Sequence, residues 1–493
     1  MITHFPVLQV ILPLMAAPAC LFLRKRDWVW LFATGVAFLS FAISLALMFS
    51  IMQSGAVSYE LGGWEAPWGI EYRIDMLNAP LLVLISGISA IVLLAARSSI
   101  INEMPEDRHI LFFVSWLLCM AGLMGILATG DAFNVFVFLE ISSLSTYTLL
   151  AMGKDRRSLW ASFQYLVAGT IGATFILIGI GLMYMMTGTL NMADIAQRLP
   201  EVEDTRTVYT AFAFFMVGVC LKLALFPLHL WLPNAYTYAP SVVTAFLAAT
   251  ATKVAVYVML RFTFDVFGFE FSVGHLPLQS ILLALGLAGV FVASLVAIRQ
   301  DNLKRMLAYS SVAQIGYIIL GFSFASATGV TATLLHMLNH GLMKGALFLS
   351  MAAVMYRIGS TNLSQMAGLA SRMPLTMAAF VIGGLSLIGV PLTVGFVSKW
   401  YLVSAALENG WWPVAALILL GSLLSVVYIW RAVEVLYFKP VNANTPDVKE
   451  APASILIPMW ILVIANLYFG IDTSLTVGVA EMAAADMFRG LFE

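Results

Sequence analysis

The sequence predicts an all-α polytopic membrane protein with about fourteen transmembrane helices. Three observations carry that prediction. Of 493 residues, 61% are hydrophobic and only 10% are charged, against roughly 25% charged in a soluble protein. The charges fall mostly between apolar runs of about 20 residues, the length that crosses a hydrocarbon core. The short alternating segments of a membrane β-barrel do not occur.

Spans are expected at 5–23, 28–52, 78–97, 110–129, 132–151, 159–186, 207–229, 240–262, 276–298, 303–322, 327–356, 373–400, 411–438 and 452–469. No Lys or Arg precedes the first run, and Arg24, Lys25 and Arg26 follow it. It therefore reads as a retained span and not a cleaved leader. Basic loops around Arg97/Arg108, Lys154/Arg156/Arg157, Arg299/Lys304/Arg305 and Arg357/Arg372 lie on the same side as Arg24–Arg26. Acidic stretches (Glu60, Glu65, Glu71 and Asp75; Asp194, Glu201, Glu203 and Asp204) lie on the other. Positive-inside asymmetry then puts both termini outside the cytoplasm.

Between the spans, segment 53–74 is rich in Gly and aromatics and reads as an external β-hairpin. Segment 189–206 reads as a polar connection with an amphipathic helix, 440–452 as a loop, and the last 20 residues as a segment lying along the membrane surface. Four regions follow: 1–109 with three spans and the hairpin, 110–262 and 276–438 as two half-channel repeats, and 439–493 as a final span and tail. A net charge of −1 implies no nucleic-acid partner. Cys20, Cys119 and Cys220 sit in apolar runs and read as small core residues.

Two spans are interrupted. LKLALFPLHLWLPNA carries Pro227, and GVPLTVGFVSK carries Gly389, Pro391 and Gly395. Proline removes a backbone hydrogen bond and clashes with the preceding turn. Such breaks are tolerated where the backbone faces protein or a hydrated cavity. They fall in the seventh and twelfth spans, and an odd offset gives the copies opposite orientations. A corresponding pair of broken helices points to an inverted-repeat transport fold with its site at the breaks.

Seven ionisable groups lie inside five spans: Glu140, Lys222, Lys253, His336, His340, Lys344 and Lys399. Unpaired, they would cost on the order of 20 kcal/mol. Glu140 reads as a carboxylate that pairs with a lysine, with Asn134, Ser142, Ser143 and Ser145 as polar neighbours. The alternative is a structural tie between helices. Lys222 reads as a proton carrier, because desolvation favours a neutral amine and a close carboxylate favours the ammonium. A permanent salt bridge is its plain alternative. Lys253 is central in its span, near Thr250 and Thr252, which argues against snorkelling.

His336, His340 and Lys344 are spaced by four and share one helix face, where histidine titrates near physiological pH. The alternatives are helix–helix hydrogen bonding or a metal. Two histidines on one face of one helix do not clasp a haem, and His229 is the one further ligand available, so neither metal nor cofactor is expected. Lys399 ends the second broken span and reads as the group that exchanges protons with the aqueous side, with snorkelling as its alternative. Arg431 and Glu434, three apart, read as an internal ion pair. Lys304 and Arg305 read as topogenic loop charges.

The runs GDAFNVFVFLE, FPLHLWLPNAYTYAPSVVTAFLAATATK, LKRMLAYSSVAQIGY, HMLNHGLMKGALF and GVPLTVGFVSKW together resemble the antiporter-like subunits shared by respiratory complex I and the multi-subunit Mrp-type cation/proton antiporters. The resemblance covers about residues 75–400. The first run and the total length look most like the D-type chain of the Mrp antiporters. The resemblance implies fourteen helices with two inverted five-helix repeats. It implies Glu140 and Lys222 as the pair of the first half-channel, Lys253 as the link to the centre, Lys344 with His336 and His340 as the continuation, and Lys399 as the terminal lysine of the second half-channel.

The expected function is a proton-translocating subunit of a hetero-oligomeric Mrp-type Na⁺/H⁺ antiporter in the bacterial inner membrane. Its expected partners are the other antiporter subunits, the lipid bilayer, protons and a monovalent cation, which the resemblance implies to be Na⁺. The alternative is a proton-pumping membrane-arm subunit of a complex I-like or hydrogenase-like redox complex. A non-conducting scaffold is a third reading. No cluster or nucleotide motif is present, so the chain is expected to be a transporter subunit and not an enzyme, with redox chemistry left to partner chains.

Overall fold

The computed structural model describes residues 2–441 and 447–488. Its helices are α1 (Phe5–Ala19), α2 (Arg26–Ser54), α3 (Ala79–Glu103), α4 (His109–Ala128), α5 (Ala132–Ala151), α6 (Arg157–Thr187), α7 (Met192–Arg198), α8 (Arg206–Leu223), α9 (Trp231–Tyr238), α10 (Ser241–Leu260), α11 (Leu278–Ile298), α12 (Leu303–Ser323), α13 (Ala327–Ile358), α14 (Pro374–Ile388), α15 (Val394–Glu408), α16 (Trp412–Val433), α17 (Ala453–Ile471) and α18 (Ser474–Phe488). Among the described residues, thirteen helical segments are long and apolar enough to cross a membrane. The fourteenth predicted crossing is divided between α14 and α15. The external hairpin is present as β1 (Val57–Glu60) paired antiparallel with β2 (Glu71–Ile74), Val57 opposite Ile74.

The two breaks set the architecture. In the first, α8 ends at Leu223 and the chain resumes as α9 at Trp231. The seventh crossing thus continues to Tyr238, beyond the predicted end at 229, because the chain re-forms a helix past Pro227. In the second, α14 ends at Ile388 and α15 starts at Val394, with Gly389 at φ +92°. A left-handed turn at that position terminates α14, and glycine adopts it without strain.

The repeats are visible in a pair of backbone bridges. Asp131 bridges Asn191, and Asn302 bridges Asn362, a shift of 171 residues in both members. Their hydrogen bonds match: Ala132 N to Leu190 O (2.8 Å) and Met192 N to Gly130 O (2.9 Å) in one, Leu303 N to Thr361 O (2.9 Å) and Leu363 N to Asp301 O (2.9 Å) in the other. Asp131 caps α5 by accepting from Asn134 N, and Asn302 caps α12 by accepting from Arg305 N. An oxygen on the first unpaired amides of a helix is a standard N-cap. The Asn302 loop is on the side of the basic loops, called the inner face below. The Asp131 loop is on the opposite, outer face. The same local device at opposite faces is the signature of an inverted repeat.

Small residues let the helices approach. A Cβ on Gly218 of α8 would fall 2.5 Å from Gly172 O of α6, and one on Gly316 of α12 would fall 2.7 Å from Gly286 O of α11. Close crossings through glycine are the usual packing solution where apolar burial alone gives no driving force. The long helix α13 runs through the centre and is buried from Gly329 to Val354 at most positions. The tail α18 buries Val479, Ala480, Ala483 and Ala484 and packs on α13. Of the loop predicted at 440–452, residues 442–446 lie outside the described residues, and 447–452 form no helix.

Candidate functional site

The seven groups read from the sequence are held inside the helical bundle, by different means in each repeat. In the first repeat, Nζ of Lys222 lies 3.6 Å from Oε1 of Glu140. It also donates to Ser143 Oγ at 2.8 Å. The lysine is the deeper partner, with 5% of its side chain exposed against 27% for Glu140. At 3.6 Å the pair is charged contact and not a hydrogen bond, and Oε1 of Glu140 has no hydrogen-bond donor among the described residues. Of the polar neighbours expected for Glu140, only Ser143 takes part. Asn134 donates to Thr129, and Ser142 and Ser145 donate to backbone carbonyls of their own helix.

In the second repeat, Lys399 is held by the break itself. Its Nζ donates to Leu387 O at 3.0 Å, Ile388 O at 2.8 Å and Ser422 Oγ at 2.9 Å. Those carbonyls are the last of α14, left without helical partners by the break. The negative end of the helix dipole favours a cation there. Lys399 is 7% exposed, so it does not snorkel to an interface.

Between these ends, Lys344 donates to Leu307 O at 2.8 Å and Ser310 Oγ at 2.5 Å. His336 places Nε2 2.8 Å from Gln314 Oε1 and Nδ1 2.8 Å from Ser398 Oγ. With the amide so oriented, His336 donates through Nε2 and accepts through Nδ1. Turning the amide exchanges both roles. His340 stacks on His336 with ring centroids 6.2 Å apart, and neither of its nitrogens has a partner among the described residues. Tyr317 connects this group to the far end, with its ring 5.9 Å from His336 and 4.9 Å below Lys399 Nζ.

Lys253 has no hydrogen bond to another member among the described residues, but it lies within electrostatic reach of His336, His340 and Lys344. It is fully buried, donates to Ala248 O, and sits 3.4 Å from Thr252 Oγ1. Thr250 turns away and donates to Phe246 O. A small cavity of about 30 Å³ separates Lys222 and Ser143 from Ala251, Val254 and Ala255 on the helix of Lys253. That volume holds a single water, which needs ~10–15 Å³.

Two sequence readings are corrected. Arg431 does not pair with Glu434. Its guanidinium reaches Asp301 at 2.5 Å and the carbonyls of Ile298 and Gln300. The chain winds into a π-turn at Glu434–Phe438, and the arginine instead caps the end of α11. Lys304 is not an exposed loop charge. It is 3% exposed and donates to Ala239 O at 2.7 Å.

Sequence reasoning misses Ser310, Gln314, Tyr317, Ser398, Ser422 and the burial of Lys304. Four of these lie on α12. Ser310, Gln314 and Tyr317 recur every three or four residues within LKRMLAYSSVAQIGY, so a polar stripe along that run is the available signal for them, and Lys304 lies off it.

An inverted-repeat helical membrane protein with broken seventh and twelfth crossings and an interior row of lysines and histidines is an antiporter-like membrane subunit in architecture. The chain belongs to the NADH:quinone oxidoreductase/Mrp antiporter transmembrane family, whose match spans residues 129–425. It is 41% identical to NADH-quinone oxidoreductase subunit N of Desulforudis audaxviator, over 96% of each chain. It is 30% identical to the D-type chain of the Na(+)/H(+) antiporter of Alkalihalophilus pseudofirmus, over 85% of this chain and 84% of that one. In structure it is similar to a chain of the membrane-bound sulfane sulfur reductase, an archaeal respiratory membrane complex, with a TM-score of 0.89, 32% identity, and coverage of 98% of this chain and 97% of that one.

Proposed function

We propose that this chain is a proton-translocating subunit of a hetero-oligomeric membrane complex. Protons move laterally through Glu140/Lys222, Lys253, Lys344 with His336 and His340, and Lys399, in two half-channels formed by 110–262 and 276–438. The chain transports and does not itself catalyse a redox reaction. The observation that carries this reading is the contrast between the two ends. Lys222 faces a carboxylate that holds its proton, whereas Lys399 faces carbonyls and a hydroxyl that do not carry a full charge. Opening the Glu140 pair would favour the neutral amine at Lys222 and push a proton onward. Waters complete the steps at Lys253 and His340. Partner subunits are supported by Glu140, a carboxylate more than a quarter exposed on the side of a membrane bundle, where an uncovered charge is costly.

Two hosts fit this relay. In an Mrp-type antiporter in the inner membrane, exchange of Na⁺ or another monovalent cation would drive or be driven by it. In a respiratory complex, electron transfer in other chains would. The 41% identity over nearly the whole chain favours the second host, and the 30% relative supports the first. The test is proton flux in vesicles holding the whole complex, with its co-purifying chains identified. Lys222→Ala should abolish flux, and flux at the parent rate would end the relay reading. Chains with iron–sulfur or flavin sites would identify the redox host, and small antiporter subunits the other.

A further inference from the structure

We propose that Lys304 is the inlet of the relay, taking protons from an aqueous cavity on the inner face. The inference rests on the relay reading above and adds a residue and an entry point to it. The cavity has a volume of about 550 Å³, and Lys304 lies in its wall.

The charged groups around that cavity come from four elements: Glu103 at the end of α3, Lys154 and Asp155 in the turn after α5, Arg157 at the start of α6, and Arg357 at the end of α13. Each is engaged elsewhere. Glu103 accepts from the amide and hydroxyl of Ser241 at 2.9 Å, capping α10. Asp155 pairs with Arg157 at 2.7 Å. Lys154 donates to Asn102 O at 3.0 Å, and Arg357 to Glu450 O at 3.0 Å. Lys304 is different. It forms no contact ion pair among the described residues, although Glu103 and Asp155 act on it as charges at longer range, and its one protein hydrogen bond there is to Ala239 O. An ammonium has three donors to satisfy, and an unpaired charge is expensive to bury. A lysine that served only topology would sit in solvent with the others.

Inward from Lys304, α12 continues as a polar edge. Leu307 O and Ser310 Oγ hold Lys344, and Gln314 holds His336. Ser310 and Gln314, four apart, share a helix face, and Lys304, six residues before Ser310, lies about 120° round the helix from it. From Lys304 to Ser310 the rise is about 9 Å, a gap that one or two waters span. One proton passes per step. A neutral Lys304 takes it from cavity water and releases it through those waters to the neutral amine of Lys344.

The test uses the whole complex in vesicles of known orientation. Lys304→Cys should lower proton flux on the order of 100-fold, as loss of an acid–base group does. Aminoethylation of that cysteine by 2-aminoethyl methanethiosulfonate added at the inner face, with free thiol on the opposite side to scavenge reagent that crosses the membrane, rebuilds an amine and should restore most of the flux. A neutral methyl reagent should not. The native cysteines are buried, and the treated parent complex checks them. Full flux in Lys304→Cys, or rescue from the outer face only, overturns the inlet. Lys222→Ala separates the two readings: if it is inactive while Lys304→Cys is active, the relay stands and the inlet fails, and if both are active the relay itself fails. Should Lys304→Cys not assemble, Ser360→Cys on the cavity wall leaves Lys304 intact. Attaching a bulky thiol reagent to it from the inner face should cut flux several-fold, and undiminished flux with complete labelling overturns the proposal.

Discussion

Lys222 and Glu140 face each other across α8 and α5 at 3.6 Å, and the carboxylate oxygen nearest the lysine has no hydrogen-bond donor among the described residues. The contact is long enough to open without breaking a hydrogen bond between the two. Ser143 holds the lysine in place meanwhile. Glu140→Gln should therefore lower proton flux by roughly 100-fold. The double variant with Lys222→Ala should be no slower than Lys222→Ala alone, because both residues act in one step. Additive losses in the flux assay would show that the pair does not act as a unit.

At the other end, Lys399→Met keeps most of the length of the side chain and removes its donors. Leu387 O and Ile388 O then lose a partner, but Ser422 still donates to Ile388 O at 2.5 Å. The complex should assemble, with flux lowered on the order of 100-fold. Ser422→Ala should slow flux only a few-fold. Flux and yield measured together distinguish a transport defect from misassembly.

His336 transmits between Gln314 and Ser398. Gln314→Leu removes the acceptor at Nε2, and Ser398→Ala removes the donor at Nδ1. Each variant should slow flux by roughly ten-fold or more, within the range of acid–base losses, and the two together should not multiply. Flux in the single and double variants checks this.

The second break is intolerant of side chains. A Cβ on Gly395 would lie 1.7 Å from Ser386 O, so Gly395→Ala must displace the backbone that presents carbonyls to Lys399. A loss of roughly 1–3 kcal/mol or more is expected. It is read as a lower Tm of the purified complex and weaker assembly. Gly35→Ala, with open space around its Cβ, is the control and should leave Tm unchanged.

On the outer face, Asp75 pairs with Arg261 at 2.8 Å. Burial raises its carboxyl, but the Arg261 charge and hydrogen bond outweigh burial and hold it below its ordinary value of 3.8. A carboxyl lowered on folding adds stability that is complete above the ordinary value and is lost as pH falls through the folded one. Tm of the parent complex should drop more steeply than that of Asp75→Asn as pH is lowered below about 4. Parallel acid profiles would remove Asp75 from the account.

The spans, the two breaks, the outer hairpin and the seven ionisable positions are legible along the chain before any folding is considered. These follow from one-dimensional properties: the length of apolar runs, the positions of Pro and Gly, and the cost of a charge in lipid. Tertiary structure alone decided what each charge touches. Lys222 meets a carboxylate, Lys399 meets the freed carbonyls of α14, and Lys253 meets the carbonyl of Ala248. Arg431 turned to Asp301 and not to Glu434, and Lys304 went into the wall of a cavity. Backbone carbonyls exposed by a break, and serines or a glutamine contributed by another helix, carry no periodic mark at the position they serve, so they become partners only once the helices are packed.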